Sequence, residues 1–263
     1  MSLPDPAFLD RALAVARAAA TAADVVVARH YGKAIEVRRK ADDSPVTEAD
    51  LAAERAIRAV LCGAFPDHAI YGEEQGHTGH SPFLWLVDPI DGTRSFVRGV
   101  PMFSTQIALM HEGELLLGVS SACAFGETAW ARRGGGAFLD GTAVRVSDCA
   151  DPAAASLSFG NLKSLARGSG WAALAPLVVA AERTRGYGDF YHYHLLARGA
   201  LDAVIESDVN VLDIAALALI VHEAGGIFTD LAGAAIGLAT RSVLAAPPGL
   251  HAALLPRLAA FAP

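Results

Sequence analysis

The sequence predicts an α+β fold in which two connected sheets are sandwiched by helices. Three observations carry that expectation. The first 65 residues hold two alanine-rich segments with apolar residues at helical spacing. The next stretch, to about residue 147, alternates apolar segments with glycine turns, as an antiparallel meander does. Beyond about residue 155, strand-like and helix-like segments take turns.

Residues 6–31 read as a long helix. Phe8, Leu9, Leu13, Val15 and Ala16 fall at helical spacing, Asp5 and Pro6 mark its start and Gly32 its end. "AIEVRRK" alternates as a short strand, and "ADDSPV" is a loop. Thr47, followed by Asp50, caps a second helix over "TEADLAAERAIRAVLCGAF". "HAIYGEE" is a strand ending in acids, "QGHTGHS" a polar mobile loop, and "FLWLVD" a strand buried on both faces. "STQIALMHEGELLLGVSSACAF" is a hairpin turning at Glu112-Gly113, and "ETAWARRGGGAFLDGTAVRVS" adds short strands. Further on, "SLSFG", "LDAVIES" and "SVLAAP" read as strands. "WAALAPLVVAAE", "DFYHYHLLARG" and "VLDIAALALIVHEAGG" read as helices, the last closed by a glycine pair, and the final segment is helical.

Composition narrows the class. The chain has 263 residues, 53% hydrophobic and 19% charged, which suits one large domain or two small ones sharing a core. Lys and Arg number 21 against 28 Asp and Glu, a formal charge of −7, with no basic block to read nucleic acid. Cys62, Cys123 and Cys149 are odd in number and form no CxxC pair, so neither a disulfide framework nor a structural zinc site is expected. They read as buried free thiols of a reducing cytoplasm. No basic stretch precedes an apolar run at the start, and every apolar run is broken well before about 18 residues, so no signal peptide and no membrane-spanning helix are expected.

The chemistry sits in acids placed at the ends of apolar segments. Glu73 and Glu74 follow "AIY", Asp88 and Asp91 follow "LWLV", Asp213 opens a helix after "VNV", and Asp50 lies in the first turn of the second helix. Strand ends and helix starts are where a rigid scaffold presents side chains to a cleft. Carboxylates that converge there repel one another and need protons or cations. Carboxylates with a backbone carbonyl form the ligand set of a hard cation such as Mg²⁺, which commonly sits with a phosphate. The Asp88–Asp91 turn can aim both carboxylates and the Ile90 carbonyl at one point. Gly92 permits close approach of a phosphate, the amides of Gly92 and Thr93 can cradle an anion, and the Thr93 hydroxyl can hold a water. Each piece alone also fits an Asp-Gly turn, a solvated pair of acids or a helix cap. Their joint occurrence favours a metal site.

As a set, "SPVTEAD" (44–50), "GEE" (72–74), "DPIDGT" (88–93), "LDIAA" (212–216) and "HEAGG" (222–226) resemble the inositol monophosphatase family of Mg²⁺-dependent, lithium-sensitive phosphatases. Order and spacing agree over nearly the whole chain. The resemblance implies a layered αβαβα sandwich and a homodimer. It implies one phosphatase unit over residues 1–263, with an α+β half (1–150) carrying most metal ligands and an α/β half (151–263). Glu73, Asp88 and the Ile90 carbonyl would hold one metal, and Asp88, Asp91 and Asp213 a second; Glu73 would touch a third, weaker ion. Glu73, Thr93 and Asp50 would position and deprotonate the attacking water, and Gly92 and Thr93 would bind phosphate. Leu212 departs from the family, which usually has Trp or Tyr before the aspartate.

Local details lean toward histidinol phosphate as substrate. "DGTRSF", "SPVTEAD" and "GDFYHYHLLARG" are similar to the histidinol-phosphatase group. A substrate with an ammonium and an imidazole wants carboxylates beyond the phosphate, and Asp189 and Glu206 are the candidates. Glu206 also suits inositol hydroxyls, and Asp189 reads equally as a helix N-cap. The alternatives are an inositol-1-monophosphatase, a 3′(2′),5′-bisphosphate nucleotidase, and a non-catalytic partner of RNA or a transcription complex. The expected partner is a small phosphate ester, without nucleic acid or membrane. His192 and His194, alternating with Tyr191 and Tyr193, read as helix-surface and interface residues, with a substrate-side role as the alternative. Arg132-Arg133 reads as a solvated turn, and His77 and His80 as part of the mobile loop.

Overall fold

A computed structural model of the chain describes residues 4–33, 36–39, 45–167 and 170–261. It opens with α1 (Pro6–His30), where Asp5 accepts from the Ala7 amide and Pro6 takes the first helical position. A small ribbon pairs β1 (Val37–Arg39) with β2 (Pro45–Thr47). Then come α2 (Glu48–Ala64), β3 (Ala69–Gly72), β4 (Gly76–Thr78), β5 (Phe83–Asp91) and the short α3 (Thr93–Val97). The hairpin β6 (Ser104–His111) and β7 (Glu114–Ala122) turns at Glu112-Gly113, as the sequence indicates, and leads into β8 (Glu127–Arg132), β9 (Ala137–Leu139) and β10 (Thr142–Val144). The second half runs β11 (Ser156–Gly160), α4 (Leu162–Leu165), α5 (Gly170–Ala180), β12 (Arg183–Arg185), α6 (Asp189–Ala197) and β13 (Ala203–Ser207). It closes with α7 (Val211–Glu223), β14 (Ile227–Thr229), β15 (Ser242–Ala246), α8 (Pro248–Leu254) and a 3₁₀ segment, Leu255–Phe261.

Two sheets organise these elements. The larger has the order β10-β9-β8-β7-β6-β5-β3-β4 and is antiparallel except where β3 runs parallel to β5. The smaller has the order β12-β11-β13-β15-β14 and is mixed. Packing yields five layers. α1 and α2 bury Ala12, Ala16, Ala19, Ala53, Ile57 and Leu61 against one face of the larger sheet. The alanine face of α1 lets its backbone lie close to α2 and to the strands. α6 and α7 fill the space between the sheets, with Phe190, Leu196, Ile214 and Leu217 meeting Val204 and Val243. Leu174, Leu250, Leu254 and Leu258 cover the outer face of the smaller sheet. The contact of α7 with the larger sheet is very close: a Cβ on Gly118 of β7 would overlap the Ala216 backbone. This is the layered α+β sandwich that the sequence suggests.

Several local expectations are corrected. Pro45 and Val46 lie in a strand, while residues 41–44 of the expected loop fall outside the described residues. Gly76–Thr78, read as a mobile loop, is an edge strand paired with β3. The elements α4, β12 and β14 carry no clear pattern of their own. The three cysteines are free, yet Cys62 is exposed and the other two only partly covered. Arg132 is bonded to Asp10, and Arg133 bonds Glu114 and the Leu115 carbonyl, so these arginines staple the turn rather than sit free in solvent.

Candidate active site

The two acids of "DPIDGT" share one face of the larger sheet because β5 carries an extra residue. Asp88 pairs with Gln106 and Asp91 with Ser104, so three steps on β5 match two on β6. Gln106 and Ser104 are two apart and point to one face; their partners therefore do too. The bulge is held by Thr105 Oγ1 donating to the Pro89 carbonyl at 2.8 Å and by the Ile90 amide donating to Asp88 Oδ1 at 2.9 Å. Gly92 then turns the chain into α3 at φ 87°, where a Cβ would sit 2.5 Å from the Met102 carbonyl oxygen. Only glycine meets both demands.

Asp213 reaches the same place from α7. Asn210 caps that helix, accepting from the Leu212 amide at 3.2 Å, and Asp213 Oδ2 accepts from the Asn210 amide at 3.0 Å. Single oxygens of Asp88, Asp91 and Asp213 lie within 4.8 Å of one another. Glu73 follows β3, with its amide bonded to the Val87 carbonyl at 3.1 Å, and its carboxylate is hydrogen-bonded to Asp88. Its segment is gripped from α2: Glu54, fully buried, accepts from the amides of Glu74 at 2.7 Å and Gln75 at 3.2 Å and pairs with Arg58 at 2.7 Å.

Electrostatics describe an unneutralised cluster. Burial, then Glu73, Asp213 and Asp91, push the Asp88 carboxyl well above its usual range. Burial, then Asp189, Asp213 and Glu206, do the same to Asp91. Asp213 is pushed up to about 7, chiefly by burial, with Glu73 and Glu206 adding and the Asn210 and Asp88 hydrogen bonds opposing. Such a cluster holds protons or cations. Its donors are all oxygen and converge closely, which fits a hard divalent cation.

Beside it stands a hydroxyl–carboxylate pair. Asp50 is fully buried in the capping box of α2, accepting at Oδ2 from the Thr47 amide at 2.8 Å and the Thr47 hydroxyl at 2.5 Å. Its other oxygen faces Thr93 Oγ1 at 3.2 Å, and Thr93 lies 3.0 Å from the Ile90 carbonyl. Burial raises the Asp50 carboxyl, and the Thr47 bonds partly offset this.

A small pocket adjoins the cluster, lined by Asp91, Asp189, Tyr193, Glu206, Asp213 and Asn161 among others. Asp189 is the first residue of α6 rather than its cap, which is Gly188, and it stands at φ 47°. Burial and then Glu206 push Asp189 up to about 6. Glu206 Oε2 accepts from Tyr193 Oη at 2.7 Å and His192 Nε2 at 3.1 Å, and Asn161 Nδ2 lies 3.5 Å from Oε1. Burial, then Glu206, raises the Tyr193 phenol well above its usual value, so it stays a donor.

Sequence reading placed the carboxylates and Thr93 but missed Asn161, Tyr193, Glu54 and the burial of two histidines. His192 and His194 are both 0% exposed, not at the surface. Nothing local reveals this, because α6 is covered on opposite sides by different sheets. Leu212, 2% exposed, packs into the core between α7 and the larger sheet. His77 and His80 join no metal-binding group among the described residues. No described helix is long and apolar enough to cross a membrane.

Known proteins resemble the chain over most of its length. The profile of the inositol monophosphatase family matches residues 9–261. A histidinol-phosphatase of Mycobacterium tuberculosis is 42% identical over 254 residues, covering 94% of this chain and 97% of the relative. One from Chlorobaculum parvum is 39% identical, covering 78% of this chain and 80% of the relative. The solved extragenic suppressor protein SuhB of Bartonella henselae superposes with a TM-score of 0.88 at 28% identity, covering 94% of this chain and 98% of that one. The chain belongs to the inositol monophosphatase family.

Proposed function

We propose that this phosphatase hydrolyses L-histidinol phosphate with Mg²⁺. The observation that carries the substrate is the pair Asp189 and Glu206, two carboxylates on a pocket that also contains Asp91 and Asp213 of the cluster. A phosphate seated at the cluster would place its alcohol in that pocket, and an ammonium or imidazolium there meets charge-assisted acceptors. The names and high coverage of the histidinol-phosphatase relatives support the same reading.

In this reading Glu73, Asp88, the Ile90 carbonyl, Asp91 and Asp213 hold two or three cations. Bound there, divalent cations supply the positive charge that polarises the phosphoryl group and eases departure of the alkoxide. The chain's own groups do the rest. The amides of Gly92 and Thr93 orient the phosphate oxygens. Glu73 orients the attacking water. Thr93 Oγ1 takes that water's proton as its own passes to Asp50 Oδ1, across the 3.2 Å contact. Thr47 fixes Asp50 for this step with two hydrogen bonds to Oδ2. Water attacks directly, and no phosphorylated side chain forms. A homodimer, lithium inhibition and a cytoplasmic location belong to the same reading, and mass measurement in solution tests the first.

Phosphate release from L-histidinol phosphate, inositol-1-phosphate and 3′-phosphoadenosine 5′-phosphate tests the substrate. The expected result is a kcat/KM at least about tenfold higher for L-histidinol phosphate, the scale of one charge-assisted contact. A preference for inositol-1-phosphate overturns the substrate and leaves the phosphatase.

A further inference from the structure

The pocket proposed to receive the alcohol takes Asp189 and Tyr193 of its lining from α6, so the placement of α6 against the larger sheet helps to set its shape. One side chain makes that connection. His194 is completely buried, with Nδ1 2.7 Å from Glu127 Oε1 on β8 and Nε2 2.8 Å from Ser120 Oγ on β7. Ser120 Oγ lies 3.0 Å from Gln106 Nε2, which also donates to Ser104 Oγ at 2.7 Å. Arg198, one turn further along the chain, takes the second oxygen of Glu127 at 3.2 Å. By strand register Gln106 stands opposite Asp88 and Ser104 opposite Asp91. A continuous hydrogen-bonded chain therefore runs from Glu127, through α6, into the row of side chains that carries both aspartates.

The chain has one consistent polarity. Burial holds the His194 imidazole below its usual pKa, and the bond from His194 holds the Glu127 carboxyl low. Nδ1–H thus donates to the carboxylate, Nε2 accepts from the Ser120 hydroxyl, and Ser120 Oγ accepts from the Gln106 amide. Every donor in this chain meets an acceptor, which fixes one tautomer and one rotamer of His194. Acid, imidazole and hydroxyl are arranged as in a nucleophilic hydrolase, yet Ser120 is 0% exposed and no substrate can reach it.

The geometry points to His194 as a positioning residue: the Glu127–His194–Ser120 chain locks α6 to the aspartate-bearing strands and so determines how the alcohol portion of the substrate is recognised. Asp189 and Tyr193 ride on the helix that His194 anchors, while Asp88 and Asp91 lie on the sheet it is anchored to. Loosening the chain shifts the alcohol pocket relative to the phosphate site. This rests on the phosphatase reading above, and the test separates the two.

Ser120→Ala removes the acceptor's partner at the cost of a single oxygen, and Glu127→Gln removes the charge at the far end. For each variant, kcat and KM are measured with L-histidinol phosphate and with p-nitrophenyl phosphate, whose leaving group lacks an amine. The affinity for L-histidinol alone and for Mg²⁺ is measured beside them. The expected result is a KM for L-histidinol phosphate, and a Kd for L-histidinol, raised about tenfold, the scale of one buried hydrogen bond. Kinetics on p-nitrophenyl phosphate and Mg²⁺ affinity stay within about twofold, the range of a minor perturbation. Equal losses on both esters, or no change on either, overturn the inference. If the wild type hydrolyses neither ester, the phosphatase reading fails, and unchanged L-histidinol binding in the variants overturns the inference by itself. Should both variants fail to fold, ¹⁵N spectra of the wild type decide: His194 protonated at Nδ1 alone is expected, and protonation at Nε2 overturns the proposal.

Discussion

Asp88 and Asp91 stand three residues apart on β5 yet face the same side of the sheet, because the two β6 residues opposite them, Gln106 and Ser104, are only two apart. A regular strand would turn one of the two carboxylates to the other face. The bulge instead brings both within 4.8 Å of Asp213, so that three carboxylates converge at one point.

Asp88→Asn keeps the shape of that cluster and removes one charge. Activity falls by on the order of 10³-fold, as when one strong transition-state contact is lost. Mg²⁺ binding weakens, and the metal-free protein melts at a higher temperature at pH 8, because like charges no longer oppose one another. Calorimetry and initial rates check this; a variant with wild-type turnover contradicts the metal site.

The metal-free protein loses stability as the cluster ionises. Asp213 has a folded pKa of about 7 against 3.8 unfolded, and Asp88 and Asp91 are also raised. The folded state binds more protons, so this contribution is complete below the unfolded value and disappears as pH rises through about 7. The imidazoles of His68, His194 and His251, held low by desolvation, act with the opposite sign at lower pH. Between about pH 7.5 and 8.5 the imidazoles are almost wholly neutral in both states, and the Tm in EDTA falls with rising pH as Asp88 and Asp91 ionise. Saturating Mg²⁺ removes that slope. A Tm that climbs across this window in EDTA contradicts the assignment.

Thr93→Val preserves volume and deletes the hydroxyl between Ile90 and Asp50. The proton path to Asp50 is cut, and kcat falls about 10²-fold, the lower end of general acid–base effects. Mg²⁺ affinity changes little, because no proposed cation ligand on a side chain is touched. Unaltered kcat removes Thr93 from the proton path.

Asp189→Asn tests the alcohol pocket without backbone strain, since asparagine tolerates the left-handed φ of 47° found there. L-histidinol phosphate loses about tenfold or more in kcat/KM, the scale of a charged contact, while p-nitrophenyl phosphate is hydrolysed as before. An equal loss on both esters assigns Asp189 to the fold instead.

What the sequence made legible was local chemistry. Thr47 and Asp50 spell their own capping box, and "DPIDGT" shows acids, proline and glycine at the end of a buried strand. The reason for the spacing of Asp88 and Asp91 lies in the register with β6, which no local pattern encodes. The three-residue strands β4, β12 and β14 owe their conformation to the strands they pair with. His192 and His194 misled for a similar reason: His192 engages Ser158 and Glu206 of the smaller sheet, and His194 engages Ser120 and Glu127 of the larger. Polar residues two apart on a helix point to nearly opposite sides, and here each side meets a polar niche in a different sheet.

The most direct test is phosphate release from L-histidinol phosphate by protein stripped with EDTA and then titrated with Mg²⁺. Turnover is expected to vanish after stripping and to recover with saturation as Mg²⁺ is added, whereas Asp88→Asn recovers on the order of 10³-fold less activity. Turnover that survives EDTA, or none while Mg²⁺ is bound, would contradict it.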